Sequence, residues 1–388
     1  MLNFTHFLAD AMEKNFQVDV VYTDFCKAFD KINHDMLIEK LAVAGLHGNL
    51  LRWTKSYMSN RSQGVCVKGY ISQFLPVPSG VPRGSHLGPL LFSLYINDIA
   101  RIFNYSNYLL YADDTKLFTV VKSIDDCINL QSDLLSLQKY CETNQLFLNV
   151  DKCFIITYTR KINNIDFGYN INNKVLKRVS TIRDLGVIMD SKLTFNHHID
   201  HIVAMAFRSL GFILRISKPF KNATTLKILY FSFVRSILDF CSTVWSPCYQ
   251  IHIRRIEAVQ KKFMKSFNYR INGVVESYDE TLRNNKLLSL YNRRKMYDIV
   301  FLFKNLNSLI DSSPLLAKII FSVGARLPVR SSRSLPLFVP PKFYKTYTRN
   351  NFVYRSTNTY NNEFFNIDLF NTSLCTLKRK LTQTLPCL

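Results

Sequence analysis

The sequence predicts an α+β fold, in which a mixed first part is followed by a mainly helical second part. Residues 18–25 are β-branched and aromatic, which indicates a buried strand that ends in an acid. Two apolar runs, residues 108–111 and 117–121, are joined through Ala-Asp-Asp-Thr and predict a β-hairpin with an acidic tip. Beyond residue 196 the pattern changes to long amphipathic helices, so we place a domain boundary near residues 190–196.

Helical spacing, turn residues and capping residues predict the remaining elements. Gly45 separates two helices, and Ser123 with Asp126 forms a capping box at the start of another. The predicted helices lie at about residues 34–44, 47–58, 90–103, 124–140, 197–216, 223–240 and 252–268. Alternating residues predict strands at 63–70, 71–77 and 153–159. After residue 305 the periodicity weakens and prolines accumulate, so residues 306–388 are expected to form a loosely structured basic region.

The charge of the chain is strongly basic and unevenly distributed. There are 50 Lys and Arg residues against 28 Asp and Glu residues, which gives a formal net charge of +22. Residues 1–160 contain equal numbers of basic and acidic side chains, so residues 161–388 carry the whole excess. A basic region of this kind indicates a polyanionic partner. Nucleic acid is the leading candidate, and an anionic membrane surface is the alternative.

Three features argue against a secreted or membrane-spanning protein. The first residues lack the basic start of a secretory signal and include Asp10 and Glu13. No stretch approaches the about 18 uninterrupted apolar residues that a membrane span needs. The nine cysteines are odd in number and form no Cys-x-x-Cys pair, a pattern typical of reduced thiols. We therefore expect an intracellular protein.

Three acids are placed where they could hold metal ions. Asp24 ends the predicted buried strand, and Asp113 and Asp114 lie at the predicted hairpin tip. Carboxylate oxygens suit Mg²⁺, which takes one or two protein carboxylates and completes its shell with phosphate and water. Two such ions would activate a hydroxyl and stabilise a leaving oxygen in phosphoryl transfer. Paired aspartates also occur as ordinary turn residues, so the tetrapeptide alone leaves both interpretations open.

Five segments of the chain match, in order and spacing, the motifs A to E of one family. The segments are YTDFCKAFDKINHD (22–35, motif A), SGVPRGSHLGPLLF (79–92, motif B), YADD (111–114, motif C), LFLNVDKC (146–153, motif D) and DLGVIMD (184–190, motif E). On these segments the chain resembles the reverse transcriptases of non-LTR retrotransposons, and the jockey-like branch of these transposable elements most closely.

The resemblance implies an architecture and an activity. It implies a polymerase palm with a small antiparallel sheet and packed helices at residues 1–195, a helical basic thumb-like region at 196–305 and the C-terminal region at 306–388. It further implies an RNA-directed DNA polymerase that uses two Mg²⁺ ions, with Mn²⁺ as a substitute. The implied partners are an RNA template, a DNA primer or target and deoxynucleoside triphosphates, without a membrane. Relatives of this kind are expected in cytoplasmic ribonucleoprotein particles and in the nucleus.

The resemblance also implies roles for the acids and for one lysine. Asp24 and Asp113 would be the principal metal ligands, with Asp114 beside them at the primer end. Lys152 matches the motif D lysine that is proposed to protonate pyrophosphate, although an exposed lysine without a catalytic role explains the residue equally well.

Four further residues are implied on the nucleotide side of the site. Phe25 and Phe29 belong to motif A, and Phe29 matches the aromatic steric gate that excludes a ribose 2′-hydroxyl. Gly84 would let the backbone approach template or nucleotide, because it has no Cβ atom. Arg83 departs from the family pattern, which usually has Gln here. Its side chain would either reach a phosphate or block the pocket.

The chain begins shortly before motif A, whereas family enzymes have a fingers region and often an endonuclease domain there. We therefore expect a truncated copy with reduced or no autonomous activity. The alternative to an active polymerase is a catalytically inactive remnant that only binds nucleic acid.

Two minor expectations concern polar residues. Asp30 and Asp35 are expected to cap or solvate the next helix, and His197, His198 and His201 are expected on a solvated helical face.

Overall fold

The computed structural model of the chain describes residues 1–273, 276–322 and 336–385. Its contacts divide the chain into two compact units. One comprises Asn15–Ser180, and the other comprises Met1–Lys14 together with Thr181–Leu388. The first unit combines a sheet with packed helices and the second is mainly helical, which confirms the predicted α+β class.

A five-stranded sheet forms the centre of the first unit. Its strands are β1 (Gln17–Thr23), β2 (Asn107–Tyr111), β3 (Asp114–Val121), β4 (Phe154–Tyr158) and β5 (Lys177–Arg178). They lie in the order β5-β4-β1-β3-β2. All neighbours are antiparallel except β5 and β4. The predicted buried strand, the predicted hairpin and the predicted strand near residue 154 are therefore confirmed.

Strand β1 is central and almost entirely buried, and it contains one acid. Asp19 is fully buried, and its carboxylate accepts hydrogen bonds from Thr157 Oγ1 at 2.8 Å, Tyr169 Oη at 3.0 Å and Gln17 Nε2 at 3.0 Å. Burial, together with the neighbouring Asp19, raises the pKa of the Tyr169 hydroxyl. Because the buried carboxylate is surrounded by donors, β1 keeps a polar residue at the centre of the sheet without an unsatisfied acceptor.

Four α-helices pack around this sheet. They are His34–Val43, Gly48–Met58, Leu87–Ile96 and Ile124–Thr143. The capping box of Ser123 and Asp126 is confirmed at the start of the last helix. The first helix is capped by Asn33, whose side chain accepts hydrogen bonds from the backbone N–H groups of Asp35 and Met36. Asn33 thus has the capping role that we expected of Asp30 or Asp35. Short 3₁₀ helices occupy Ala28–Asp30, Asn97–Arg101 and Val150–Lys152.

The paired strands predicted at 63–77 form only short ladders. Ser62–Gln63 pairs with Leu75–Pro76, and Cys66–Val67 pairs with Tyr70–Ile71. The turn lies at residues 68 and 69, two residues earlier than predicted, and all the paired residues are exposed. Alternation predicted the hairpin, but neither face of it packs on the core, so nothing extends the ladder. A further two-stranded ladder joins Asn170–Ile171 to Lys174–Val175.

The second unit is built mainly from helices. A short hairpin of Thr181–Asp184 and Val187–Asp190 precedes them, and Ile320–Phe321 pairs with Phe338–Val339. A π-helical segment, Phe231–Arg235, interrupts the helix predicted at 223–240. No helix in the described ranges is long and apolar enough to cross a membrane. The α-helices beyond residue 190 are Asn196–Ile216, Ala223–Tyr230, Ser236–Asp239, Ser242–Trp245, Gln250–Asn272, Tyr278–Asn284, Leu290–Leu306, Ser313–Leu316, Thr346–Arg349, Phe352–Thr359 and Leu374–Thr384.

The N-terminal helix, Leu2–Glu13, belongs to the second unit. Lys345 donates hydrogen bonds from its Nζ atom to the Met12 carbonyl oxygen at 3.0 Å and to the Glu13 carbonyl oxygen at 2.9 Å. The Tyr344 backbone N–H donates to the Glu13 carboxylate at 3.0 Å. These contacts group the first residues with the C-terminal region, whereas the sequence predicted a first domain of residues 1–195. The assignment of palm, thumb-like and C-terminal regions stays a prediction.

The C-terminal region is more ordered than the sequence predicted. In the described parts of 306–388, helices bury apolar side chains such as those of Phe352, Tyr360 and Leu377. Arg355 forms an ion pair with the buried Asp298, with 2.6 Å between Nε and Oδ2. The helices are short and a π-helical segment, Tyr360–Phe364, interrupts them, so no single periodic stripe is visible in the sequence. Pro328, one of the prolines behind the prediction, lies outside the described residues.

The expectation of a solvated histidine face is wrong for His198. This side chain is 1% exposed, its Nδ1 accepts a hydrogen bond from the Ile188 backbone N–H, and its ring packs edge-on against Trp245. Burial, with the nearby positive charges of His201 and Arg183, lowers the pKa of His198 from 6.5 to about 4.

We predict that His198 makes the protein less stable in mild acid. Between pH 6.5 and pH 4 the unfolded chain binds a proton at this imidazole and the folded chain does not, so stability falls as the pH falls through this range. The loss should be about 2 kcal/mol across the window. Chemical unfolding of the native chain and of His198→Gln at several pH values measures it. The variant should have a shallower pH dependence, whereas the exposed control His197→Gln should follow the native chain. Equal slopes for all three would contradict the prediction.

Candidate active site

The three predicted metal-binding acids lie at the same end of two neighbouring strands. Asp24 directly follows β1, whose last residue, Thr23, pairs with Thr115 of β3. Asp114 is the first residue of β3, so it occupies the next register position beside Asp24. Asp113 and Ala112 form the two-residue turn of the hairpin, and Ala112 has a positive φ of 53°. The pairing of β3 with β1 and β2 thus places the acids of motifs A and C at the same end of the sheet.

The motif D segment lies alongside the residues that follow β1. The Asn149 backbone N–H donates to the Asp24 carbonyl oxygen at 2.8 Å, and the Cys26 N–H donates to the Phe147 carbonyl oxygen at 2.7 Å. Lys152 follows in the 3₁₀ helix, and its Nζ lies 3.6 Å from Asp24 Oδ2. The lysine is 68% exposed and the aspartate 30% exposed. Motif D therefore places the Lys152 ammonium group beside Asp24, the first predicted metal ligand. The lysine side chain remains exposed to solvent.

The acids suit Mg²⁺ in their chemistry but do not form a complete protein cage. Within the described ranges, no group of three or more His, Cys, Asp or Glu side chains is arranged to hold a metal ion. Mg²⁺ does not need such a group, because it is usually held by one or two carboxylates and completes its shell with phosphate and water. Asp24 with Asp113 or Asp114 can supply those carboxylates. The residues thus fit a metal that is bound together with a substrate.

Motif A and motif B are joined by backbone hydrogen bonds. The Val81 N–H donates to the Phe29 carbonyl oxygen at 2.8 Å, and the Gly80 N–H donates to the Ile32 carbonyl oxygen at 2.8 Å. In addition, His34 donates from Nε2 to the Gly80 carbonyl oxygen at 2.8 Å. Because these are mainly backbone contacts, the two segments keep a fixed separation.

Gly80 makes the close approach between the two motifs possible. A Cβ atom here would lie 2.6 Å from Asp30 Cα and 2.7 Å from the Phe29 carbonyl oxygen. The residue also has a φ of +83°, which side-chain-bearing residues rarely adopt. Gly80 was not among the residues that the sequence predicted for the site. The only signal was its place two residues before a proline in a glycine-rich loop, and that signal does not identify the contact.

Arg83 is paired with an acid of motif A. Its Nε donates to Asp30 Oδ1 at 2.8 Å and its Nη2 donates to Asp30 Oδ2 at 2.5 Å. Neither of the two outcomes considered for Arg83 included this pair. Asp30, in turn, does not cap the following helix. Opposite charges 53 residues apart carried no sequence signal for the contact, because many other pairs in the chain have the same charges.

The remaining predicted residues surround this junction. The Phe29 ring is partly buried against the core, with its centroid 4.7 Å from that of Phe92. Phe25 is 3% exposed and its side chain belongs to the core. Gly84 has a φ of +76°, and a Cβ atom there would have no neighbour within 4 Å. The structure thus groups Phe29, Arg83 and Gly84 at one junction, while their roles toward a nucleotide stay predictions.

The family of the chain follows from a comparison with known proteins. The family described as "Reverse transcriptase (RNA-dependent DNA polymerase)" matches residues 8–208, which is more than half of the chain. The chain belongs to this reverse transcriptase family. The matched range includes all five motif segments and both strands that lead to the acids.

Individual relatives confirm the resemblance to the jockey-like branch. The chain is 29% identical over 281 residues to the RNA-directed DNA polymerase from mobile element jockey of Drosophila melanogaster, covering 69% of this chain and 30% of the relative. It is 26% identical to a probable RNA-directed DNA polymerase from transposon BS of the same organism, covering 72% and 32%. The chain thus spans about a third of the length of these relatives.

A solved structure shows a weaker similarity. The apo telomerase from Candida tropicalis aligns with a TM-score of 0.41 and 10% sequence identity, over 75% of this chain and 50% of that chain. At this level the alignment does not identify corresponding residues.

We predict that the glycine at the junction of motifs A and B is the more sensitive of two loop glycines. Gly80→Ala forces a Cβ atom into the motif A backbone and should lower the unfolding free energy by about 2–4 kcal/mol, since it combines a clash with positive-φ strain. Gly84→Ala is the matched control, because it has a similar φ and open space, and it should cost about 1–2 kcal/mol. Chemical unfolding of both variants measures the difference. Equal losses would show that the close contact does not constrain the loop.

Proposed function

We propose that the chain is the reverse transcriptase domain of a non-LTR retrotransposon. Its reaction would be RNA-directed DNA synthesis, in which a deoxynucleotide is transferred to a DNA 3′-hydroxyl along an RNA template. The observation that carries this proposal is the convergence of Asp24, Asp113 and Asp114 at one end of β1 and β3, beside Lys152. Membership of the reverse transcriptase family supports the reaction type.

The proposed mechanism assigns metal binding to the acids at the strand ends. Asp24 and Asp113 would hold two Mg²⁺ ions, with Asp114 beside them. When bound, the ions supply Lewis-acid stabilisation of the attacking and leaving oxygens. The short connection of both acids to a buried sheet supports this role, because a rigid backbone positions the carboxylates before substrate arrives. Mn²⁺ has the same preference for oxygen ligands and would be an alternative.

Lys152 would protonate the leaving pyrophosphate. Its ammonium group lies 3.6 Å from the Asp24 carboxylate and stays 68% exposed, so it is near the proposed metal site and can reach a ligand in solvent. An ammonium donor at this place offsets negative charge that develops on the leaving group. The contact with Asp24 also explains how an exposed lysine is kept near the site.

On the nucleotide side, Phe29 would act as the steric gate against a ribose 2′-hydroxyl. The Phe29 ring packs against the ring of Phe92, with 4.7 Å between the centroids, and this contact limits its movement. Phe25, Arg83 and Gly84 would complete this side of the site. Phe25 would do so through its backbone, since its side chain is buried in the core.

The proposed nucleic-acid partners are an RNA template and a DNA primer. Residues 161–388 carry the whole net charge of +22, and phosphate groups are the complementary partner. A second candidate function is binding of nucleic acid without catalysis. It is favoured by the same net charge of +22, because binding to phosphate groups needs positive charge but no catalytic step.

We predict that Asp113→Asn removes polymerisation and leaves binding of a template-primer duplex nearly unchanged. The substitution removes a charge that holds metal but no part of the basic surface, so transition-state stabilisation is lost selectively. A primer-extension assay with an RNA template and Mg²⁺ measures activity, with an expected fall of at least about 10²-fold. Binding is measured in parallel by fluorescence anisotropy.

A second readout tests the same site without turnover. Fe²⁺ in place of Mg²⁺, with ascorbate and peroxide, should cleave the backbone near residues 24 and 113, and Asp113→Asn should suppress both cuts. The exposed control Asp125→Asn should keep the activity and the cuts. Extension by the Asp113→Asn variant, or an unchanged cleavage pattern, would refute the metal-site assignment. Specific cuts without any primer extension by the native chain would favour the binding-only function.

We predict that Phe29→Val relaxes the choice of sugar. If the ring is the gate, the ratio of kcat/KM for deoxynucleotides over ribonucleotides should fall at least about tenfold, mainly because ribonucleotides are accepted. The partly buried ring also packs on Phe92, so a stability loss of about 1–3 kcal/mol should accompany the change. Phe118→Val, a buried phenylalanine on β3, is the control for destabilisation alone. Equal sugar ratios for the native chain and Phe29→Val would refute the gate.

A further inference from the structure

The ion pair between Arg83 and Asp30 lies at the surface and joins the motif B loop to motif A. Arg83 is 68% exposed and Asp30 is 41% exposed. Exposed pairs generally contribute little to stability. This pair, however, uses two parallel hydrogen bonds, of 2.8 Å and 2.5 Å, and a bidentate pair fixes orientation as well as distance. Its effect is therefore expected on the geometry of the loop more than on the stability of the fold.

The two partners flank the residues that face the proposed nucleotide. Asp30 directly follows Phe29, and Arg83 directly precedes Gly84. The backbone bond from Val81 to Phe29 fixes the start of the motif B loop against motif A. Gly84 has a φ of +76°, and a Cβ atom there would have no neighbour within 4 Å, so no close approach of the kind seen at Gly80 occurs at this residue. The ion pair is a further connection between the same two segments, and Arg83 directly precedes Gly84 in the chain.

The backbone and side-chain connections together leave little freedom at Asp30. Ser79 donates from its Oγ to the Asp30 carbonyl oxygen at 2.8 Å, while the carboxylate of the same residue holds Arg83. Motif B thus grips both the backbone and the side chain of the residue next to Phe29. The Arg83 guanidinium donates from two nitrogens, Nε and Nη2, to the Asp30 carboxylate, and this directs the Arg83 side chain toward motif A.

We propose that Arg83 and Asp30 are positioning residues, whose ion pair sets the distance between the Phe29 ring and the Gly84 turn and thereby the strictness of sugar discrimination. The proposal rests on the proposed polymerase function, because it concerns the nucleotide site of that reaction. Arg83 acts through Asp30 and does not itself bind the triphosphate. A gate works by excluding a single hydroxyl, so a shift of about 1 Å at the ring changes its selectivity.

The experiment compares four variants of the full chain with the native protein. Arg83→Ala removes the pair, and Arg83→Gln keeps a polar side chain but loses the bidentate geometry. The double variant Asp30→Arg with Arg83→Asp restores an ion pair with exchanged charges. Arg52→Ala, which removes an exposed arginine of the helix Gly48–Met58, is the control for loss of a positive charge.

Two measurements are made on each variant. Hydrogen–deuterium exchange of the peptides that contain Gly80 and Val81 reports whether the loop is still held against motif A, and it does not require activity. Primer extension gives the ratio of kcat/KM for a deoxynucleoside triphosphate over the matching ribonucleoside triphosphate, with the separate KM values.

We expect Arg83→Ala to exchange faster at the loop and to lower the sugar ratio by about three- to tenfold, which corresponds to about 0.6–1.4 kcal/mol. Arg83→Gln should give an intermediate ratio, the charge-swapped variant should return toward native values, and Arg52→Ala should match the native chain. The KM for the deoxynucleotide should change by less than the sugar ratio does.

Three results would overturn the positioning role. One is a large rise in deoxynucleotide KM for Arg83→Ala that the charge swap does not correct, since that outcome assigns Arg83 to direct triphosphate binding. Another is an unchanged sugar ratio in Arg83→Ala. The third is unchanged loop exchange. Absence of extension by the native chain would instead refute autonomous polymerase activity of this chain, and with it the sugar selectivity, while the exchange data would still show whether the pair anchors the loop.

Discussion

The backbone contact between Gly80 and the Phe29–Asp30 peptide is the constraint on which the arrangement of the site depends. The two segments approach until no Cβ atom fits between them, and hydrogen bonds of 2.8 Å hold them there. One of these segments leads back to Asp24, and the other leads on to Gly84. A small change at this contact therefore alters two parts of the proposed site together. Its tightness explains why residue 80 is a glycine.

The sheet provides the second half of this arrangement. β1 lies between β3 and β4 and contains the fully buried Asp19, which donors from the surrounding chain satisfy. A strand that is paired on both edges and held at a polar residue has little freedom to shift its register. Asp24, which directly follows β1, therefore takes its backbone position from buried structure. Its side chain is 30% exposed, so solvent reaches a carboxylate whose backbone continues a buried strand.

The sequence was sufficient for the parts of the fold that local patterns determine. The apolar runs beside the YADD segment predicted β2 and β3, and Ser123 with Asp126 predicted a helix start, because both signals act over a few residues. Asp24 and the hairpin acids were predicted as one cluster only through the motif order. The register of β1 and β3 explains why these acids are close, since the end of β1 pairs with the start of β3.

Contacts between distant residues could not be predicted in the same way. The pairing of Arg83 with Asp30 and the close approach at Gly80 depend on how two loops meet, and neither has a periodic signal. The burial of His198 was missed because three nearby histidines suggest a polar face, while the structure turns one of them onto Trp245. The C-terminal helices were missed because their buried residues come from short elements with different orientations.

The docking of the N-terminal helix has a consequence for how the chain is made. The Glu13 carboxylate accepts a hydrogen bond from the backbone N–H of Tyr344, 331 residues further along the chain. During synthesis from the N-terminus, the ribosome has to add 331 residues after Glu13 before this partner exists. The strands and helices of Asn15–Ser180 are all available much earlier. The helix Leu2–Glu13 therefore reaches its native contacts later than the helices of Asn15–Ser180 do, and its apolar face, including Phe4 and Leu8, has to stay unaggregated until then.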